Sequence, residues 1–274
     1  MRLVQFWKNG APALGIETAR GVIDAAAADP AAPATMLEAC RAGEEGLRLL
    51  ARIGQDAAAP CADPARIALA PVVTGMEKIL CVGLNYGAHA AEVKQERPPF
   101  PAIFPKFPNT LAAHGETVKL PAGARKVDYE VELVVIMGPD KAPFAYTVGN
   151  DLSVRDWQKE SPTWTVGKNA DGFGPIGPAA VTADVLDPGD LAIGMRRDGA
   201  AVQSARTSDM LFSVPELIEY IDMRIPLKAG DLLFTGTPNG VIIGMPYEQR
   251  VWLKPGEVLE AEIEGIGTLR TTLG

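Results

Sequence analysis

The sequence predicts an α+β fold that is mainly β, with a small N-terminal α+β domain ahead of a larger β-rich domain. Three observations predict it. Short β-rich runs broken by Gly and Pro fill the chain after about residue 72. Only residues 88–94 and 214–222 in that part show helical periodicity, and the one long amphipathic pattern lies before it, between residues 36 and 53.

The N-terminal part opens with three short strand patterns, at residues 3–8, 13–17 and 21–24, separated by turn signals such as Asn9-Gly10. They predict a small antiparallel sheet. The amphipathic helix follows, and an Ala/Pro-rich stretch from 56 to 71 has the composition of a linker. We therefore expect a domain of residues 1–71 and a second of residues 72–274, without internal repeats.

The larger domain carries strand patterns at residues 78–82, 127–137, 232–235 and 259–263. Their β-branched and apolar composition predicts mostly antiparallel sheet. The two helical segments are short, so we expect them at the margins of the sheet.

Composition excludes several classes of function. A formal charge of -8 repels phosphate backbones, so no nucleic-acid partner is expected. No apolar run approaches the ~20 residues of a membrane span, and the N-terminus lacks a signal-peptide core, which predicts a cytoplasmic protein without membrane contact. Cys40, Cys61 and Cys81 lack metal-ligand spacing and are expected to be reduced and structural.

The most informative motif is Asp128-Tyr129-Glu130-Val131-Glu132-Leu133. A strand places alternate residues on opposite faces, so three carboxylates share one face. If that face is enclosed, a hard divalent cation is the simplest way to relieve their repulsion. The alternative is a solvated acidic face. Asp151, after the apolar run ending at Gly149, is either a third oxygen ligand or part of a turn-forming Asn-Asp pair.

The chain has two histidines. On a short helix, His89 and Glu92 are i and i+3 and face the same way, which suits a carboxylate-oriented imidazole that activates water. A surface contact is the alternative. His114 lies in a loop segment and is expected to be solvated.

Two lysines and one turn complete the set of polar candidates. Lys106 follows an apolar strand pattern and Lys168 sits in a Gly-rich polar stretch. Either could hold a carboxylate or stabilise an enolate, or be merely solubilising. The turn of residues 235–240 could present hydroxyl and amide donors to an anion. Residues 172–177 match G-x-G-x-x-G, but prolines stand where a helix should start, so no dinucleotide site is expected.

Together these segments resemble the fumarylacetoacetate hydrolase superfamily, over about residues 76–274. The matching segments are KILCVGLNYGAHAAE (78–92), IFPK (103–106), DYEVEL (128–133), GNDLSVRDWQ (149–158), GKNADGFGPIGP (167–178), QSARTSDMLF (203–212) and GDLLFTGTPNG (230–240).

The resemblance implies a family-type mixed β-sandwich roll and one Mg²⁺ or Mn²⁺ per active site, held by Glu130, Glu132 and Asp151. It implies catalytic roles for His89 and Glu92, on a lid helix, and for Lys168. It also implies a homodimer. Substrate binding is assigned to Lys106, Asn85, Tyr86, Arg155, Gln158 and Thr237.

The chain departs from the family pattern at Ala88, where relatives have Asp, and at Asn169 and Gly172. The expected function is hydrolysis of a C–C bond in a small 2,4-dioxo acid of the acylpyruvate or fumarylpyruvate type, through an enolate held at the metal and water activated by His89 and Glu92. Two alternatives use the same platform, an oxaloacetate-type decarboxylase and a hydroxyheptadienedioate-type isomerase. A non-enzymatic alternative is a small-acid binding protein.

Overall fold

The centre of the fold is a ten-stranded sheet whose middle strands are buried on both faces. The computed structural model describes residues 1–96 and 98–274. The strands in chain order are β1 (Arg2–Lys8), β2 (Ala11–Thr18), β3 (Gly21–Asp24), β4 (Ile79–Gly83), β5 (Ala102–Lys106), β6 (Leu111–Ala112), β7 (Thr117–Val118), β8 (Val127–Asp128), β9 (Val131–Met137), β10 (Pro143–Asn150), β11 (Ser153–Val154), β12 (Gly174–Thr182), β13 (Ala192–Arg197), β14 (Ala200–Arg206), β15 (Leu232–Phe234), β16 (Val258–Ile263) and β17 (Gly267–Leu273).

The α-helices of the described residues are short apart from the second one. They are α1 (Ala25–Ala28), α2 (Met36–Gln55), α3 (Gly87–Glu92), α4 (Arg155–Gln158), α5 (Thr165–Lys168) and α6 (Val214–Asp222). The helices predicted at 36–53, 88–94 and 214–222 are confirmed as α2, α3 and α6. Short 3₁₀ turns connect several of the other elements.

The large sheet has the strand order β3-β2-β1-β12-β10-β9-β15-β4-β5, with β6 attached to β12. Most neighbours are antiparallel, but β4 pairs with β15 and β6 with β12 in parallel, so the sheet is mixed. A second sheet has the order β14-β13-β16-β17-β7, and β8 pairs with β11. The predicted mainly β fold is confirmed.

Strand β9 shows why two layers form around the large sheet. Val131, Leu133 and Val135 pack into a core shared with the five-stranded sheet and α6. Val134 and Ile136 pack on the opposite side, in the core that includes α2. A strand covered on both faces is apolar throughout rather than alternating, as β9 is after Glu132.

The N-terminal strands pair antiparallel, as predicted. They do not form a separate small sheet, because β1 pairs with β12, with Leu3 opposite Ala180. The first strands thus extend the large sheet, and α2 packs on its face. The boundary between residues 71 and 72 stays a prediction.

The segment predicted as one strand at 127–137 is two strands, separated by Tyr129 and Glu130. The Glu130 N–H donates to the side-chain oxygen of Asn150 rather than to a strand backbone. The Tyr129 hydroxyl donates to the Gly240 carbonyl oxygen at 3.0 Å. These side-chain contacts hold the break between β8 and β9, where the acidic residues lie.

Other expectations have clear outcomes. Residues 174–182 form strand β12, so the G-x-G-x-x-G sequence does not open a helix. Cys40 and Cys81 are buried free thiols, and Cys61 is partly exposed. In the described ranges, no helix is long and apolar enough to cross a membrane.

Candidate active site

Three buried carboxylates converge at the ends of two neighbouring strands. Glu130 and Glu132 flank the first residue of β9, and Asp151 follows β10 directly. Strand pairing places Glu132 opposite Gly149, and the Asp151 N–H donates to the Glu130 carbonyl oxygen at 2.9 Å. One oxygen from each carboxylate lies within 4.8 Å of the other two. The predicted set of three is therefore brought together by the sheet itself.

Lys168 lies between two of these carboxylates. Its Nζ is 2.6 Å from Glu130 Oε2 and 2.6 Å from Asp151 Oδ2. Lys106 contacts the other oxygen of Asp151, at 2.6 Å. Burial alone would lower the pKa of Lys168, but Asp151 and Glu130 raise it above its ordinary value. Lys168 is consequently a cation at neutral pH, able to stabilise negative charge but not to act as a base.

Glu132 is the member of the triad without a cationic partner in the described chain. Its Oε2 accepts the N–H of Gly236 at 2.7 Å. Burial and the charges of Asp151 and Glu130 raise the pKa of Glu132 well above its ordinary value. An unpaired buried carboxylate beside two further oxygen donors fits a hard divalent cation such as Mg²⁺ or Mn²⁺, which would relieve the repulsion.

Arg155, on α4, supports the triad from one side. Its Nη2 is 2.6 Å from Glu130 Oε1, its Nε is 2.9 Å from Asp128 Oδ2, and its Nη1 is 3.1 Å from Gln158 Oε1. Burial alone would raise the pKa of Glu130, but Arg155 and Lys168 outweigh burial and hold that pKa well below its usual range. Each guanidinium nitrogen already has a protein acceptor, so Arg155 chiefly orients Glu130.

Asp128 shares the acidic face of the motif but stands apart from the triad. Its carboxylate accepts the backbone N–H groups of Ile242 and Ile243, at 2.8 and 3.0 Å, in addition to Arg155 Nε. Its lone pairs are therefore engaged by the protein. The face is enclosed rather than solvated, since Asp128, Glu130 and Glu132 are all buried.

His89 and Glu92 lie on α3 with the expected i, i+3 relationship. His89 Nδ1 is 3.6 Å from Glu92 Oε2, too far for a hydrogen bond, and this buried nitrogen has no hydrogen-bond partner. Both Glu92 oxygens accept the N–H of Gly240. The carboxylate is thus anchored by a loop, and a small rotation of the imidazole would complete the pair, as happens when substrate binds at many sites.

The turn after β15 is held by a residue that the sequence analysis did not assign. Gln203 Nε2 donates to Thr237 Oγ1 and to the Pro238 carbonyl oxygen, each at 2.9 Å, while its Oε1 accepts the N–H of Val131 at 3.1 Å. Gln203 therefore ties the turn to β9. The signal that the sequence offered for Gln203 was its position as the first residue of the matched segment 203–212.

Asn85 and Tyr86 are buried beside this turn. Asn85 Nδ2 donates to the carbonyl oxygens of Thr235 and Phe212, at 2.8 and 3.1 Å, and Asn85 Oδ1 accepts the Phe212 N–H. The buried Tyr86 hydroxyl has no hydrogen-bond partner, and burial together with the Glu132 charge raises its pKa, so the phenol stays protonated. Asn85 thus fixes backbone, whereas Tyr86 has a donor to spare.

A cavity of about 1210 Å³ opens in front of the triad. Of the predicted residues, its wall contains His89, Glu92, Glu130, Glu132, Arg155, Gln158, Lys168 and Thr237. Lys106, Asn85 and Tyr86 do not line it, so substrate contact by any of these three would require the wall to move. Asp151 also lies behind the wall. His114 lies outside this cavity. It is partly buried and its Nδ1 accepts the Arg270 N–H at 3.1 Å, so it is not the freely solvated side chain that was expected.

The positions that depart from the family pattern lie outside the cavity wall. Asn169 Oδ1 accepts the N–H of Phe107 at 2.6 Å, and its Nδ2 donates to the carbonyl oxygens of Pro105 and Thr165, at 3.2 and 2.9 Å. It fastens the end of α5 to β5. Ala88 is exposed on α3. These departures therefore remove no polar group from the wall of the cavity.

Comparisons with known proteins point to one family. Residues 78–274 match the family model described as fumarylacetoacetate (FAA) hydrolase C-terminal. The chain is 37% identical over 285 residues to the mitochondrial oxaloacetate tautomerase Fahd2a of Rattus norvegicus, covering 98% of this chain and 90% of that protein.

Two solved structures represent other activities on the same fold. One is 2-hydroxyhepta-2,4-diene-1,7-dioate isomerase from Mycobacterium marinum, with a TM-score of 0.74 and 29% identity, covering 100% of this chain and 98% of that one. The other is fumarylpyruvate hydrolase from Pseudomonas aeruginosa in complex with Mn²⁺ and pyruvate, with a TM-score of 0.65 and 31% identity, covering 73% and 90% of the two chains.

Proposed function

The chain belongs to the fumarylacetoacetate hydrolase family, and from that premise we propose that it is a divalent-metal-dependent enzyme that interconverts the keto and enol forms of a small 2-oxo acid of the oxaloacetate type. The activity of the rat relative, which matches almost the whole chain, supports this choice of reaction. A metal role is supported by the Mn²⁺ in the fumarylpyruvate hydrolase structure.

The observation that carries the proposal is the placement of His89 in the same cavity wall as Glu130, Glu132 and Lys168. Enolisation needs a base at the carbon next to the keto group and positive charge near the keto oxygen. When bound by Glu130, Glu132 and Asp151, a divalent cation would supply Lewis-acid polarisation of that oxygen.

The residues of the chain account for the proton movements. His89, as the base, accepts the proton from the carbon beside the keto group, and the electron pair of that C–H bond moves to give the enolate. Lys168 has three N–H donors, of which two are committed to Glu130 and Asp151, so one remains for the enolate oxygen. Return of the proton to oxygen gives the enol, and the reverse sequence regenerates the keto acid.

A second candidate is hydrolysis of a 2,4-dioxo acid, and the proximity of Glu92 to His89 favours it. A carboxylate-oriented imidazole takes a proton from water, and the oxygen attacks the distal carbonyl carbon. The C–C bond then breaks, its electron pair stays on the pyruvate side as an enolate, and a proton completes the products. Enolisation alone has no need of the water, so the two reactions differ in what Glu92 contributes.

A direct test compares oxaloacetate, acylpyruvates and heptadienedioates with Mg²⁺, Mn²⁺ or EDTA. Tautomer exchange is followed by NMR, and cleavage or decarboxylation products are identified by mass spectrometry. The proposal expects exchange of oxaloacetate faster than with metal alone, and abolished by EDTA. Cleavage of an acylpyruvate without such exchange would select hydrolysis. Binding of these acids without turnover would leave a small-acid binding protein.

We further propose that the working unit is a homodimer, as the family resemblance implies, and that the protein is cytoplasmic. The rat relative is named as a mitochondrial protein, so the location has to be tested separately from the reaction. Light scattering that gives the 29.0 kDa mass of one chain would refute the dimer.

A further inference from the structure

The wall of the cavity carries cations of two kinds. Arg155 and Lys168, here called the inner cations, are buried, whereas Lys94, Lys159 and Arg250 line the same wall with more exposure to solvent. Lys94 and Lys159 are exposed, as solubilising lysines usually are, whereas Arg250 is partly buried. A partly buried guanidinium in a cavity wall calls for an anionic partner, because desolvating its charge is costly.

Arg250 has no such partner within the described residues. Its Nε donates to the Met245 carbonyl oxygen at 2.8 Å, and its guanidinium carbon lies 5.8 Å from the centroid of the Tyr247 ring. Neither Nη1 nor Nη2 donates to an acceptor of the described chain. The carbonyl contact holds the guanidinium at one nitrogen, and it leaves both terminal nitrogens without an acceptor among the described residues.

The inner cations contrast with Arg250. Each guanidinium nitrogen of Arg155 has a protein acceptor, and Lys168 is held by two carboxylates. Their charges are neutralised by the protein before any ligand arrives. Arg250 differs from them because its guanidinium is held by a carbonyl oxygen and has no carboxylate partner among the described residues. The planar fork of N–H donors of a guanidinium matches a carboxylate in bidentate geometry.

We infer that Arg250 recognises the distal carboxylate of the substrate, so that the site selects 2-oxo acids with a second carboxylate. This inference rests on the proposed function, which puts the 2-oxo acid group of the substrate, here called its near end, beside Glu132 and Lys168. The cavity volume, about 1210 Å³, exceeds the ~300–1,000 Å³ of a usual small-ligand pocket, which leaves room for diacids longer than oxaloacetate.

The test is calorimetric binding to the protein in the presence of Mn²⁺. The probes are 2-oxoglutarate, 2-oxoadipate and 2-oxopimelate, each beside its ω-methyl ester, which keeps the near end and removes the distal charge. At the preferred length, the ester should bind about 10- to 100-fold more weakly than the diacid, as for loss of one charge-assisted hydrogen-bonded contact. Arg250→Met should abolish that difference, and Arg250→Lys should retain part of it.

Arg196→Met is the matched control, because Arg196 is exposed and absent from the cavity wall, and it should keep the parental preference. The inference is overturned if the parent binds ester and diacid equally, if it binds none of the diacids, or if Arg250→Met keeps the full preference. A preserved diacid preference in a protein that turns over no 2-oxo acid would instead overturn the proposed function and leave the role of Arg250 standing.

Discussion

Both carboxylate oxygens of Glu92 accept hydrogen bonds from the backbone N–H of Gly240, at 3.0 and 3.1 Å. The contact docks α3 onto the loop that follows the turn at Thr237. The N-terminus of α3 has no side-chain cap, so the helix depends on such contacts for its position. The carboxylate that faces the imidazole of His89 is thereby held by a backbone group on a distant segment.

Gly244→Ala should displace Glu92. A Cβ at position 244 would lie 2.1 Å from Glu92 Cδ and 2.6 Å from its Oε1, distances at which the side chain must move. We expect turnover to fall as far as in Glu92→Gln, because both variants lose the oriented carboxylate. Steady-state kinetics of the two variants provide the comparison.

The control for this substitution is Gly87→Ala, in α3 itself. A Cβ there meets only the Leu211 side chain, at an ordinary 3.5 Å, so we expect parental kinetics. If Gly244→Ala also keeps parental kinetics, the position of Glu92 in the structure does not matter to the reaction.

His89→Ala should lower turnover about 10²- to 10⁴-fold, the usual cost of losing a general base. Glu92→Gln should cost less if the reaction is enolisation, because an imidazole can take a carbon-bound proton without a carboxylate behind it. His89 is outside the triad, so Mn²⁺ should raise the melting temperature of the variant as it does that of the parent. An undiminished rate in His89→Ala would remove this residue from the mechanism.

Glu132→Gln should stabilise the metal-free protein and weaken its response to metal. The amide replaces a carboxyl group whose ionised form is disfavoured by burial and by the charges of Asp151 and Glu130, and its oxygen can still accept the Gly236 N–H. With a gain of about 1 kcal/mol, the melting temperature would rise by about 2–4 °C. Thermal unfolding with EDTA, Mg²⁺ or Mn²⁺ measures both effects.

Glu262→Gln is the matched control, since Glu262 is an exposed carboxylate on β16. It should leave both the melting temperature and the metal response unchanged. Should Glu132→Gln bind metal as tightly as the parent, the triad would not be the metal site. A parent that shows no shift at millimolar metal would exclude the site altogether.

His114 predicts a loss of stability on mild acidification. Burial, followed by the charge of Arg270, holds the pKa of His114 below its ordinary 6.5, and its Nδ1 accepts the Arg270 N–H. The unfolded chain therefore takes up a proton at higher pH than the folded one, so this contribution is present above about pH 6.5 and is lost as the pH falls towards the folded value.

Denaturant unfolding at pH 7.5, 6.5 and 5.5 measures this contribution as the difference between the parent and His114→Asn. The asparagine side-chain oxygen can still accept the Arg270 N–H but does not titrate in this range. The prediction fails if both proteins lose the same free energy of unfolding over that range.

The grouping of the triad was accessible to sequence reasoning because it depends on local periodicity. Alternation put Glu130 and Glu132 on one face, and the end of an apolar run marked Asp151. Whether that face is solvated was not accessible, because it depends on the layers that cover β9. The separate fate of Asp128 likewise depends on Ile242 and Ile243, far along the chain.

Contacts over long sequence distances account for the other differences. Lys106 follows an apolar strand in the sequence like a residue aimed at a ligand, yet it contacts Asp151 behind the wall. Gly240 lies in the turn of residues 235–240, which was expected to present amide donors to an anion, and its N–H donates to Glu92. Gln203 gave no composition signal, because its role depends on the contacts of one side-chain amide. Arg250 was passed over for the same reason, since a single arginine in a loop carries no pattern.

The position of β15 between β9 and β4 also governs when a newly made protein can become active. Phe234 pairs with Cys81 on one side and Val134 on the other. In a ribosome-bound chain that stops short of β15, strands β4 and β9 each have an unpaired edge, and unpaired edges promote aggregation. The pairing of β15 with strands far away in the sequence is also slow to form. Gly236, which holds Glu132, emerges later still. Chains truncated before this point should therefore be prone to aggregation and wholly inert, rather than partly active.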